Sequence, residues 1–174
     1  MLMNSKDFKE IENFFDAYRA RFREMFWLTK NGSDKKILIM HLGGIVIECL
    51  LKYRVIKEKN FVKKYREEFW YTQARLDTLL GIHNATKTHR RENGIANPGH
   101  KLIDIAKLDN ILNTKINNEE RFVNDLEILY NPLERKNGSF IDLRYISDDE
   151  VEDLDNRFNK WNEVFNRMHN EIKL

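Results

Sequence analysis

Apolar and aromatic residues return every three or four positions at both ends of this chain, and that recurrence most constrains its fold. Phe8, Ile11, Phe15, Tyr18, Phe22 and Met25 step this way through residues 5–30. Val151, Leu154, Phe158, Trp161, Phe165, Met168 and Ile172 repeat the pattern near the C-terminus. A period near 3.6 lines one face of a helix, whereas a half-buried strand alternates every second residue. Only 2 prolines and 7 glycines occur in 174 residues, so long helices meet few breaks. The pattern predicts an all-α fold: one domain over residues 1–174, built as a helical bundle of about five to six helices. The two aromatic stripes can pack within the chain or meet as a dimer seam.

Between the stripes the elements can be placed from punctuation. Asn31-Gly32 ends the first helix, and Ser33 or Asp34 can cap a second over 34–59, the most apolar of the chain. A third helix is expected over 61–80, closed by Gly81. Periodicity then vanishes over 82–98, a polar and basic stretch that reads as a long loop. A shorter helix is expected over 99–112 and another over 118–130. Residues 139–146 read as extended, and Ser147-x-x-Glu150 has capping-box spacing.

Charge is unevenly spread beneath a net +2. Residues 52–107 hold 13 basic against 6 acidic side chains, and residues 108–174 hold 9 against 15. The middle third can offer a basic surface to phosphates, or the two regions can complement each other. The lone cysteine, Cys49, excludes an intrachain disulfide and suits a reducing cytoplasm. Residues 1–7 turn charged at once without a secretory apolar run, and no stretch has the length of a membrane span. No phosphate loop, dinucleotide fingerprint, nucleophile elbow or closely spaced metal-ligand set is present, so no cofactor or metal is implied.

The most informative segment is residues 41–52. His41, Glu48 and Lys52 are spaced seven and four apart, which aligns them on one stripe of an otherwise apolar helix. A carboxylate there needs a cation or donor, with Lys52, His41 and Arg144 as candidates. Two further pieces accompany it: Asn97-Pro98-Gly99-His100-Lys101-Leu102-Ile103, and Ile141-Asp142-Leu143-Arg144-Tyr145.

Together these three pieces resemble the HEPN family, named for higher eukaryotes and prokaryotes nucleotide-binding. Residues 41–52 follow a His-x-Gly-Gly-x-x-x-Glu-x-x-Leu-Lys pattern, and the resemblance extends over residues 5–170. It implies a helical bundle, commonly a homodimer, that binds RNA or a nucleotide, cleaves RNA, or partners a nucleotidyltransferase in toxin–antitoxin or phage-defence systems. Catalytic members carry an Arg followed by four to six residues and a His. No arginine here has a histidine at that distance: seven residues separate Arg75 from His83, and eight separate Arg91 from His100.

Chemistry still permits a rearranged pair. Histidine titrates near neutrality and can move a proton, while arginine stays charged and forks onto phosphate. His100, placed at a helix start, and Arg144 are the candidate catalytic residues. His41, Glu48, Lys52 and Tyr145 are candidate ligand-binding residues, with Lys87, His89, Arg90 and Arg91 as a basic loop over the phosphates. Three readings follow. The leading one is a HEPN-like protein that binds RNA, a nucleotide or a partner enzyme without the usual ribonuclease motif. The others are a metal-independent endoribonuclease with a rearranged His/Arg site and a structural interaction module.

Overall fold

A computed structural model describes residues 14–31, 34–58 and 100–173. The start of the first helix, the expected helix over 61–80 and the basic stretch over 82–98 lie outside the described residues, as do Lys87, His89, Arg90, Arg91 and the Asn97-Pro98-Gly99 turn. The described residues form an all-α bundle of six helices, without a strand among them. In chain order the helices are α1 (Phe14–Lys30), α2 (Lys36–Glu58), α3 (Leu102–Ala106), α4 (Asn110–Asn118), α5 (Glu120–Tyr130) and α6 (Leu154–Lys173). Two short 3-10 turns, Asp142–Tyr145 and Asp148–Glu150, precede α6.

α2 is the axis of the bundle, packed by α1, α3, α5, α6 and the first 3-10 turn. Ile37, Met40, Val46, Ile47, Leu51 and Val55 bury different sides of it. Its apolar residues therefore spread around the helix, as expected for one surrounded by others. Gly43 and Gly44 make that enclosure possible. A Cβ at Gly43 would collide with the Trp161 indole, and one at Gly44 with the ring and Cβ of Phe140.

The aromatic stripes of the first and last helices meet inside the chain. The rings of Tyr18 and Phe22 lie against the His169 imidazole, with Phe22 and His169 near parallel at 4.7 Å between centroids. The Tyr18 hydroxyl and His169 Nε2 are hydrogen-bonded at 2.8 Å. Desolvation in this stack lowers the His169 pKa, which disfavours the charged imidazolium.

Three expected elements differ from what forms. The single helix expected over 99–112 is broken: Asp109, 2% exposed, accepts hydrogen bonds from the Ile111 and Leu112 amides and starts α4. Arg54 of α2 donates to the same carboxylate at 3.0 Å, so a cap and a buried ion pair together override helix continuity. Residues 139–146 are not extended. Ser139 donates its amide and hydroxyl hydrogens to Asp142 at 2.9 and 2.7 Å, and this local pairing coils Asp142–Tyr145 into a 3-10 turn. The expected capping box at Ser147 and Glu150 is present, but it heads the second 3-10 turn, and α6 starts only at Leu154. The first amides of α2 are met from far along the chain: Lys36 and Ile37 donate to the Asp148 carboxylate at 2.7 and 3.1 Å.

Candidate functional site

Glu48 is the centre of the candidate site. One turn of α2 brings Lys52 over it, and Lys52 Nζ reaches Glu48 Oε1 at 2.5 Å. The pair sits deep, with Glu48 7% and Lys52 8% exposed. Lys52 Nζ also lies 5.5 Å from the centre of the Phe14 ring of α1. His100, two residues before α3, approaches from the other side, its Nδ1 3.0 Å from Oε2 and 3.1 Å from Oε1 of Glu48. Burial works against the Glu48 charge, but the His100 hydrogen bond and Lys52 prevail and hold the carboxyl below its ordinary range. The same hydrogen bond to Glu48 raises the His100 pKa against its partial desolvation.

Two of the candidate partners for Glu48 are engaged elsewhere. His41 Nδ1 lies 2.8 Å from the Phe140 carbonyl; a carbonyl only accepts, so Nδ1 carries a proton and donates it there. The Arg144 guanidinium stands over the Tyr145 ring at 4.6 Å from its centroid. Its charge is nevertheless felt at His100, where it opposes protonation. Tyr145 is 73% exposed, which presents a flat ring to solvent rather than to the core.

Thus Glu48 is in direct contact with both Lys52 and His100, Arg144 is paired with Tyr145, and His41 lies two turns back along α2. The anion-attracting helix start expected at His100 is not available, because α3 is only five residues long. Beside Arg144 a cleft of about 620 Å³ runs between the start of α2 and the 3-10 turns. Its lining adds Asp34, Lys35, Leu38 and Asp148, none of which stands out in sequence as a site residue. Sequence reading also passed over His169, whose only signal is its place beside Met168 on the α6 stripe.

The other reactive groups are quiet. Burial pushes the Cys49 thiol up to about 12, so it stays protonated and unreactive. Among the described residues no group of His, Cys, Asp and Glu could hold a metal ion. No described helix is long and apolar enough to cross a membrane. Compared with known proteins, the chain matches no family model, no curated protein and no solved structure.

Proposed function

We propose that this chain is a HEPN-like protein that binds the phosphate of RNA or a nucleotide at His100 and Arg144, acting as a homodimer in a toxin–antitoxin or phage-defence setting. The observation that carries the reading is the anchoring of His100 by a buried carboxylate. Glu48 holds the Nδ1 edge, so the opposite edge, with Nε2, belongs to a ring that is 60% exposed. Lys52 already balances the Glu48 charge. Protonated His100 and Arg144 therefore leave the site net positive, with two forward donors suited to phosphate oxygens. Tyr145 adds a surface on which a base or ribose can stack.

A second reading is favoured by the same contact. A carboxylate bonded to Nδ1–H of a neutral histidine leaves Nε2 as a proton acceptor, and Arg144 can offset charge on phosphoryl oxygens. That is the equipment of metal-independent RNA cleavage by a rearranged pair.

Titration of the purified protein with a short RNA at low salt tests both. Binding should weaken about tenfold or more in His100→Ala and in Arg144→Ala, and fade as salt rises. Cleavage in EDTA that is lost in folded His100→Ala would select the nuclease reading. Absence of RNA binding at low salt would refute the phosphate site.

A further inference from the structure

A lysine four residues beyond a glutamate on one helix forms a simple pair with it. In α2 the carboxylate of that pair is shared. Lys52 Nζ meets Glu48 Oε1 at 2.5 Å, and His100 Nδ1 lies 3.1 Å from the same oxygen and 3.0 Å from Oε2. The two groups on the carboxylate differ in their access to water. Lys52 is 8% exposed, enclosed by Glu48 and the Phe14 ring, while the His100 side chain is 60% exposed. Glu48 stays ionised and only accepts, so His100 Nδ1 keeps its proton whether the ring is neutral or charged. The proton that comes and goes is the one on Nε2, at the edge assigned above to phosphate. Its occupancy is decided by the charges around the ring. Among the described residues these are Glu48 and Lys52 of α2 and Arg144 of the first 3-10 turn. A buried carboxylate alone beside a histidine would hold the imidazolium tightly. Lys52 offsets that pull, and Arg144 opposes it further.

We propose that Lys52 is a positioning residue for His100: by holding Oε1 of the shared carboxylate it keeps Glu48 from fixing the ring as an imidazolium, so that Nε2 passes between donor and acceptor near neutral pH. The inference rests on the phosphate-binding reading and adds its regulation. In the charged ring Nε2–H donates to a phosphate oxygen, and in the neutral ring the same nitrogen accepts a proton. Phosphate binding is therefore strongest at acid pH and weakens as His100 loses its proton. Lys52 sets that range without touching the ligand, one residue removed from the contact that its place on the α2 stripe suggested.

Proton NMR titration of the full chain tests this, with the His100 ring signal identified by its loss in His100→Gln. Lys52→Met should raise the His100 midpoint by about one pH unit, a tenfold gain in proton affinity. Lys52→Arg keeps the charge and should return the midpoint to the parent value. A lysine that served packing alone would change stability and leave the midpoint in place. Should Lys52→Met fail to fold, Lys52→Gln removes the charge but keeps a donor for Glu48, and the same rise is expected. A folded neutral variant whose His100 midpoint is unmoved or lowered overturns the inference. Binding of a short RNA, whose phosphodiesters stay charged across this range, is measured beside the titration, and the pH at which affinity fades should rise with the midpoint. A midpoint that shifts while RNA does not bind refutes the phosphate site and leaves the proton control standing. RNA binding with an unmoved midpoint refutes the control alone.

Discussion

Replacing Glu48 by glutamine separates charge from shape at the centre of the bundle. The amide side chain would keep the volume and an oxygen within reach of Lys52 and His100. It would also take away the carboxylate charge that faces the Lys52 ammonium, which is only 8% exposed to water. Breaking a buried ion pair from one side costs about 3–5 kcal/mol. The amide oxygen and the Phe14 ring 5.5 Å from Lys52 Nζ retain part of the interaction, so the lower end, about 3 kcal/mol, is expected. His100 adds little, because its exposed side chain returns to water at a cost of about 0.5 kcal/mol. For a chain of this size the loss corresponds to a melting-temperature drop of roughly 6–12 °C. Urea unfolding followed by tryptophan fluorescence, with the buried Trp161 as reporter, measures it. The double variant Glu48→Leu/Lys52→Met removes both charges and should recover to within about 1 kcal/mol of the parent. The reasoning fails if Glu48→Gln costs under about 1 kcal/mol, or if the double variant is no more stable than the single one.

Two further outcomes follow from the packing. Gly44→Ala sets a methyl against the buried Phe140, and the overpacking, about 1–3 kcal/mol, should exceed the gain of roughly 1 kcal/mol in helix propensity; a thermal melt that does not fall would refute the close approach. His169 and His100 pull the pH dependence in opposite directions. The folded pKa of His169 is lowered by burial, so below the unfolded value of about 6.5 the unfolded chain takes up a proton that folded His169 resists, and stability falls as pH is lowered. The folded pKa of His100 is raised by Glu48, so its contribution is full below about 6.5 and fades as pH climbs through the raised value. His169→Gln keeps a hydrogen-bonding partner for Tyr18 and should flatten the decline in stability between about pH 7 and 5, while His100→Gln should steepen it. Parallel pH curves for parent and variants would contradict the assignment.

The physical origin of the bundle is local, which is why it was legible in sequence. The three- and four-residue recurrence of Phe15, Tyr18 and Phe22, and of Trp161, Phe165 and Met168, specifies helices whatever they pack against. The Glu48–Lys52 pair is likewise a consequence of four-residue spacing on one helix. The capping box at Ser147 and Glu150 needs only its own four residues. Where the sequence reading erred, a distant group decided the outcome, or a short-range hydrogen bond outweighed residue preference. The break before α4 depends on Arg54 reaching Asp109, 55 positions away, and Ser139–Asp142 pairing turns a β-like run into a 3-10 coil.

The site divides along the same line. That Glu48 required a partner follows from a carboxylate in an apolar helix, an argument about solvation that holds before any fold is known. Which partners it has is a tertiary matter: His100 arrives from 52 positions away, while His41 is drawn to Phe140 and Arg144 to Tyr145. The cleft of Asp34, His41, Arg144 and Asp148 has no counterpart in any local pattern. Period and solvation are properties of neighbouring residues and survive in the linear chain. Convergence depends on how helices cross, and that is set only when Gly43 and Gly44 let Trp161 and Phe140 close onto α2.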